Sequence, residues 1–348
     1  MQYWVVYRAL SLLALAVIPG LGVAQAPPPP PLIASLGKCK LEAGGVIPNC
    51  RIAYRTFGQL NAERTNAVLI PTWFLGRSEQ WIEFLGPTRM IDTTQVYAIV
   101  VDALANGNSS SPSNTPVQSR AAFDQLSIAD MVEAEHRLVV EHLKLPRLHA
   151  VVGISMGGMQ AFEWAVRYPD FLDQAISIMG SPRGAPFGAL VLSKQLNVIE
   201  ARLHSIMAQD SVLAEFGRLA QLLLHARVTV EVDGEAGQTL SDLRTATDWM
   251  MQQGGGALED YTAQLHAVLR HDVSARYGGD MAQAAERVRA RMLIVYSWED
   301  FLVPAGDAVA FARLVHADTL PLHSPCSHLA PRCEEAVLDP AVREFLAR

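Results

Sequence analysis

A serine between glycines, an acid just past an apolar strand and a histidine beside two cysteines are the groups in this 348-residue chain whose types and spacing could do chemistry together. Ser155 stands in Gly153-Ile154-Ser155-Met156-Gly157-Gly158, after the apolar run Leu148-His149-Ala150-Val151-Val152 and before a helix-like stretch, Met159 to Ala165. Strand, sharp turn and helix are the setting in which G-x-S-x-G has meaning. The turn forces the serine backbone into a sparsely allowed conformation, and strand and helix pass so close that the flanking positions must be small. A hydroxyl is thereby raised above a sheet edge, beside the N–H groups of a new helix turn. The chemistry to expect is attack on a carbonyl; the bland alternative is a Gly-rich βα turn.

A serine hydroxyl is a weak nucleophile at neutral pH. It needs a positioned base, usually histidine, and a carboxylate to hold the histidine's tautomer. Around such a turn the chain order is Ser, then Asp or Glu, then His. Asp300 lies just past the apolar segment Met292 to Tyr296, where functional groups of parallel sheets gather, with Glu299 as its competitor. His328, in Pro325-Cys326-Ser327-His328-Leu329, is the expected base, and His323, nearer the preceding strand, is its rival. The developing oxyanion requires two backbone N–H groups. Met156 offers one, at the positive end of its helix. Thr72 or Trp73, in Pro71-Thr72-Trp73-Phe74-Leu75-Gly76, is expected to offer the other.

Short Val- and Ile-rich segments must position these groups. Arg51–Thr56, Ala67–Pro71, Gln95–Val101, Leu148–Gly153, Gln174–Ile178, Arg291–Tyr296 and Thr319–Leu322 read as strands. Helical patterns lie between them: Ile128–Leu143, capped by Ser127 with Asp130 three residues on, then Gly157–Tyr168, Ala305–Val315 and Glu334–Ala347. Such alternation predicts an α/β fold, a mostly parallel sheet covered on both faces. Residues 184–290 break the pattern with helical periodicity and read as a helical cap inserted between core segments 37–183 and 291–348. Gly254 to Gly256 within it is either a hinge or a surface loop, and not a phosphate loop, since no Lys-Ser/Thr follows.

The net charge of −7 and the absence of Lys/Arg runs argue against nucleic acid or an anionic membrane surface as partner. A small-molecule acyl substrate is expected, with no cofactor and no metal; a homodimer is left open. Residues 1–26 read as a signal peptide: Arg8, the apolar stretch Ala9 to Val23, then Ala24-Gln25-Ala26. The alternative is a retained anchor. After cleavage no stable membrane span is expected. A Pro-rich linker, 27–36, follows, and the protein is expected in the periplasm or outside the cell. Four cysteines suit an oxidising compartment. Cys39 and Cys50 sit symmetrically about Gly44-Gly45 and could face each other across a hairpin, although Pro48 weakens that register. Cys326 and Cys333 would close a small loop around His328. Zinc is the rival reading, but no C-x-x-C is present.

The segment Gly153 to Ala165 resembles the nucleophile region of the homoserine O-acetyltransferase family within the α/β-hydrolases. Asn106 to Ser113, Ser127 to Val132 and Asp300-Phe301-Leu302-Val303-Pro304 are similar to further segments of that family. The likeness runs from about Ile52 to the C-terminus and is weakest through the cap. It implies the α/β-hydrolase fold with its inserted helical cap, a triad of Ser155, Asp300 and His328, and an acyl-enzyme mechanism.

The acetyltransferase activity is not implied as directly. In that family an Asp follows the catalytic His and helps bind the substrate amino group, but here Leu329 follows. The arginine expected for the substrate carboxylate has no clear counterpart around Gln195 to Ile199. A zwitterion would lose hydration there with little return, and acyl-CoA is scarce outside the cytoplasm. The expectation is therefore an exported serine hydrolase of an ester, thioester or amide. The rivals are an acyltransferase moving an acyl group from acyl-CoA to a small hydroxyl substrate, and a non-catalytic binding protein on a hydrolase fold.

Overall fold

The computed structural model describes residues 28–184, 258–300 and 302–348. The signal-peptide reading (residues 1–26), the Gly254 to Gly256 hinge and most of the expected cap lie outside them.

Among the described residues eight strands form one sheet: β1 (Leu32–Lys40), β2 (Val46–Phe57), β3 (Ala67–Pro71), β4 (Tyr97–Val101), β5 (Leu148–Ile154), β6 (Leu172–Ile178), β7 (Arg291–Ser297) and β8 (Asp318–Leu322). Their order is β1-β2-β4-β3-β5-β6-β7-β8. Only β2 runs against its neighbours; every other pairing is parallel.

β1 begins at Leu32, so residues 32–36 of the stretch read as a 27–36 linker belong to the sheet. Its register on β2 shifts twice: Ser35 pairs with Arg51 and Gly37 with Cys50, so Leu36 is extra on β1, and Cys39 then pairs with Ile47. Pro48 and Asn49 thus face Lys38 alone. That extra residue accommodates a proline that cannot donate to the ladder, and Asn49 takes φ +50° there. Cys39 and Cys50 are bonded across this hairpin, and Cys326 is bonded to Cys333. At the other edge Pro321 is tolerated because β8 has only one neighbour.

The central strands are buried on both faces, which is why they read as continuous apolar runs. Leu69, Ile99, Val151 and Ile294 point to one face, with Met131, Phe162, Trp164 and Phe311 packed over them. Val68, Ile70, Val152 and Val295 point to the other, covered by Trp81, Phe84, Leu338 and Phe345. The covering helices are α1 (Ile128–Arg137), α2 (Met156–Arg167), α3 (Leu258–Leu269), α4 (Met281–Ala285), α5 (Gly306–Val315), α6 (Ala330–Cys333) and α7 (Glu335–Leu346). α1 starts with a capping box: Asp130 N–H donates to Ser127 Oγ (3.1 Å) and Ser127 N–H to Asp130 Oδ2 (3.0 Å). It is shorter than its periodicity predicts, because Leu138–His142 widens into a π turn.

Ala284, Ala285 and Ala290 share the apolar cluster of Met292 and Ile294. α3 packs on the short turns Pro112–Asn114 and Val117–Gln125, which follow β4. Among the described residues no helix is long and apolar enough to cross a membrane.

Candidate active site

The turn between β5 and α2 explains its glycines. Ser155 has φ +57° and ψ −119°, a conformation that costs a non-glycine residue about 1–3 kcal/mol. Its N–H donates to Ile178 O (2.8 Å), and its own carbonyl accepts from Met159 N–H (3.0 Å). A Cβ on Gly153 would collide with the Gly157 carbonyl, and one on Gly157 would lie 2.5 Å from Pro71 O. Helix, nucleophile strand and the end of β3 are therefore in backbone contact, which only glycine allows.

Two loops beyond the C-terminal ends of β7 and β8 bring the partners in. His328 Nδ1–H donates to Asp300 Oδ2 (2.7 Å), which leaves Nε2 to accept the Ser155 Oγ proton at 2.8 Å. Asp300 is buried, and its other oxygen accepts from Leu302 N–H (2.9 Å) and Val303 N–H (3.0 Å). The carboxylate thus cannot rotate without losing two backbone donors. Burial by itself would push the His328 pKa down, but the Asp300 charge and hydrogen bond together outweigh it and hold it above the ordinary imidazole value. Ser327, at φ +53°, donates through Oγ to Glu299 O (2.9 Å) and so pins the histidine loop to the acid loop. The Cys326–Cys333 bond closes the same loop.

The rival residues lie together elsewhere. His323 Nδ1 is 4.0 Å from Glu299 Oε1, and both side chains are exposed. Glu299 also accepts from Ser297 Oγ (2.6 Å).

The expectation for Thr72 needs correcting. Its N–H donates to Val101 O (3.0 Å), its Oγ1 accepts from Ala103 N–H (3.0 Å), and its carbonyl accepts from Gln160 Nε2 (3.2 Å). Thr72 is a buried bracket between the ends of β3 and β4 and has no N–H to offer an oxyanion. Trp73 differs: its N–H has no acceptor among the described residues. Its ring packs on Trp81 (5.6 Å between centroids) and Phe84 (6.3 Å). Met156 opens α2, where an N–H has no intrahelical partner.

Behind this loop lies a polar network that sequence reasoning missed. Asp102 is fully buried and accepts from Ser78 N–H (2.9 Å), Ser78 Oγ (2.6 Å), Asn106 Nδ2 (2.8 Å) and Asn108 Nδ2 (3.3 Å). Asn106 Nδ2 also donates to Gly76 O (2.8 Å). The signal was available: the run Asn106-Gly107-Asn108-Ser109-Ser110-Ser111 follows β4 after four intervening residues, at the functional end of the sheet.

The family model for the α/β hydrolase fold matches residues 66–315, more than half of the chain. The chain belongs to the α/β-hydrolase family. It is 31% identical over 303 residues to a probable esterase of Corynebacterium glutamicum, covering 82% of this chain and 86% of that one. It is also 31% identical over 312 residues to the ethyl acetate hydrolase of Pseudomonas veronii, covering 85% and 88%. A homoserine O-acetyltransferase of Caulobacter vibrioides is 27% identical over 365 residues, covering 88% and 92%. Among solved structures, the acetyl esterase MekB superposes with a TM-score of 0.80 at 28% identity, covering 92% of this chain and 97% of that one. This α/β hydrolase is thus an enzyme, a hydrolase or an acyltransferase.

Proposed function

We propose that this α/β hydrolase is an exported serine esterase that cleaves acetate esters of small alcohols through an acyl-enzyme. The observation that carries the reading is the unbroken chain Ser155 Oγ–His328 Nε2 (2.8 Å) and His328 Nδ1–Asp300 Oδ2 (2.7 Å). Ser155 Oγ attacks the ester carbonyl while His328 takes its proton and Asp300 stabilises the imidazolium that forms. The N–H groups of Met156 and Trp73 receive the oxyanion. Collapse of the tetrahedral intermediate expels the alcohol, which takes the proton back from His328. A water molecule, deprotonated by the same imidazole, then releases acetate and restores Ser155.

The choice of acetate esters is supported by the ethyl acetate hydrolase and acetyl esterase among the relatives. Leu329 supports water over homoserine as acceptor, because an apolar side chain beside the base gives an ammonium group nothing to pair with. Two disulfides support an oxidising compartment. The helical cap, expected over 184–290, would select the alcohol.

The test is a fluorophosphonate probe with intact mass, on wild type and Ser155→Ala, followed by turnover of ethyl acetate. Wild type is expected to gain one adduct and Ser155→Ala none. Equal labelling of both, or none of the wild type, defeats the mechanism. The acetyltransferase relatives keep one rival in view: with acetyl-CoA and homoserine present, O-acetylhomoserine forming faster than acetate would favour transfer over hydrolysis.

A further inference from the structure

Gln264 is fully buried on α3, yet both ends of its amide are spent on backbone atoms of two loops distant in the chain. Leu75 N–H donates to Gln264 Oε1 (2.7 Å), and Gln264 Nε2 donates to Leu104 O (2.9 Å). Leu75 is two residues past Trp73 and holds φ +53°, in the left-handed region that a leucine rarely adopts without an outside constraint. Between them the chain makes a tight turn, closed by Gly76 N–H donating to Trp73 O (2.8 Å). The amide of Gln264 therefore grips one side of the turn that begins at Trp73, whose N–H has no acceptor among the described residues.

The neighbouring contacts of α3 act on the same loops. Tyr261 packs edge-on against Phe74 (5.0 Å between centroids). Asp260 Oδ1 accepts from Ser113 N–H (2.8 Å) and Asp260 Oδ2 from Ser113 Oγ (2.5 Å), beyond the Asn106 run. The Asn106 amide in turn holds Gly76 O. α3 is thus a clamp on the loop that follows β3, and Gln264 gives it a direct hydrogen bond to that loop. An apolar side chain could fill this volume without the loss of hydration that a buried amide entails. What leucine or methionine could not do is fix the Leu75 N–H.

We propose that Gln264 is a positioning residue for ester hydrolysis: through Leu75 it sets where the Trp73 N–H points. The inference rests on Ser155 being the nucleophile. The oxyanion exists only in the transition state and the tetrahedral intermediate, so a misplaced Trp73 N–H lowers kcat and leaves KM nearly unchanged. A merely structural role would lower stability and leave this split absent.

The experiment compares Gln264→Met, which loses both hydrogen bonds, with Gln264→Glu and with Leu265→Ala, a buried position one residue along the helix. Each is assayed for kcat, KM, thermal midpoint, fluorophosphonate labelling, and inhibition by a trifluoromethyl ketone that forms an oxyanion on the serine. Gln264→Met is expected to lose about 10- to 100-fold in kcat, below the full loss of an oxyanion donor, with the ketone's inhibition constant rising by the same factor. A buried carboxyl keeps its proton near neutral pH and can both accept from Leu75 and donate to Leu104, so Gln264→Glu should stay within about threefold of wild type. Leu265→Ala should lose stability but keep kcat. Should Gln264→Met not fold, Gln264→Asn, one methylene too short to span the loops, carries the same expectation.

Wild-type kcat in the Met or Asn variant overturns the assignment, as does a loss no larger than Leu265→Ala shows at equal stability. Failure of the wild type to label at Ser155 would instead overturn the nucleophile.

Discussion

Asp300→Asn tests the catalytic reading most sharply, because the surrounding donors dictate how the new amide must sit. The oxygen facing Leu302 and Val303 receives two backbone N–H groups at 2.9 and 3.0 Å. In asparagine that place must go to the carbonyl oxygen, since an NH2 there would face two donors. The NH2 is then aimed at His328 Nδ1, 2.7 Å away, where the carboxylate was. Nδ1 is forced to accept, the ring proton moves to Nε2, and Nε2 now offers a proton to Ser155 Oγ instead of receiving one. The fold is kept and the base is lost. Such a tautomer reversal costs about 10⁴-fold in kcat, or about 5.5 kcal/mol in the barrier. A second signature follows from charge. Asp300 holds the His328 pKa up, and hydrolysis needs the neutral ring, so wild-type activity rises as pH increases through that raised value. Without the carboxylate charge the residual activity should begin its rise at lower pH. The assay is kcat/KM for p-nitrophenyl acetate from about pH 5 to 9, with the thermal midpoint as a check on folding. A loss below about tenfold, or an acid limb that does not move, would refute the argument. Glu299→Gln should leave both nearly unchanged, since Glu299 faces His323 and solvent.

Gly157→Ala places a methyl group 2.5 Å from Pro71 O, so the end of β3 must shift. About 3 kcal/mol of stability should go, measured by urea unfolding, with a larger proportional loss of activity because the oxyanion loop starts there. Reducing the Cys326–Cys333 bond, or Cys326→Ser with Cys333→Ser, should lower kcat about tenfold by freeing the loop that carries His328; unchanged kcat after verified reduction would remove that link. Glu135 is fully buried and its pKa is pushed up to about 8 by burial, against the opposing hydrogen bond from Trp164. The folded state therefore holds a proton that the unfolded chain releases above its ordinary value of 4.5, and stability falls as pH rises across that window. Thermal midpoints from about pH 5 to 8 should decline less steeply in Glu135→Gln, and an unaltered slope would exclude Glu135 as a cause.

What could be read in the chain depended on how local its causes are. The elbow was legible because strand, turn and helix are consecutive and the glycines are demanded within a few residues. Asp300 and His328 were legible because each lies in a short loop past its own strand, and strand ends in a parallel sheet point to one edge. β1 was not. Register shifts between Ser35 and Gly37 and between Gly37 and Cys39 break the alternation of Leu32–Lys40, and the preceding prolines made it resemble linker. Nor was the choice between Thr72 and Trp73, because it turns on Val101. That residue claims the Thr72 N–H only because β4 lies beside β3, a neighbour set by strand order.

The same distinction separates the reacting groups from what holds them. The proposed nucleophile, base and orienting acid, Ser155, His328 and Asp300, announce themselves by chemical type, since few residues can fill those roles. An oxyanion hole is made of backbone, and any residue has an N–H, so sequence cannot single it out. What marks it in the structure is subtraction. The Thr72 N–H goes to Val101, the Leu75 N–H to Gln264 and the Gly76 N–H to Trp73 O, which leaves the N–H groups of Trp73 and Phe74 without an acceptor among the described residues. A backbone donor left open in a loop this heavily bonded is hard to explain by stability, because pairing it would have been favourable. It is explained if its partner is the substrate oxygen. By the same logic, the role proposed for Gln264 is to occupy the Leu75 N–H and so hold the turn that presents the Trp73 N–H.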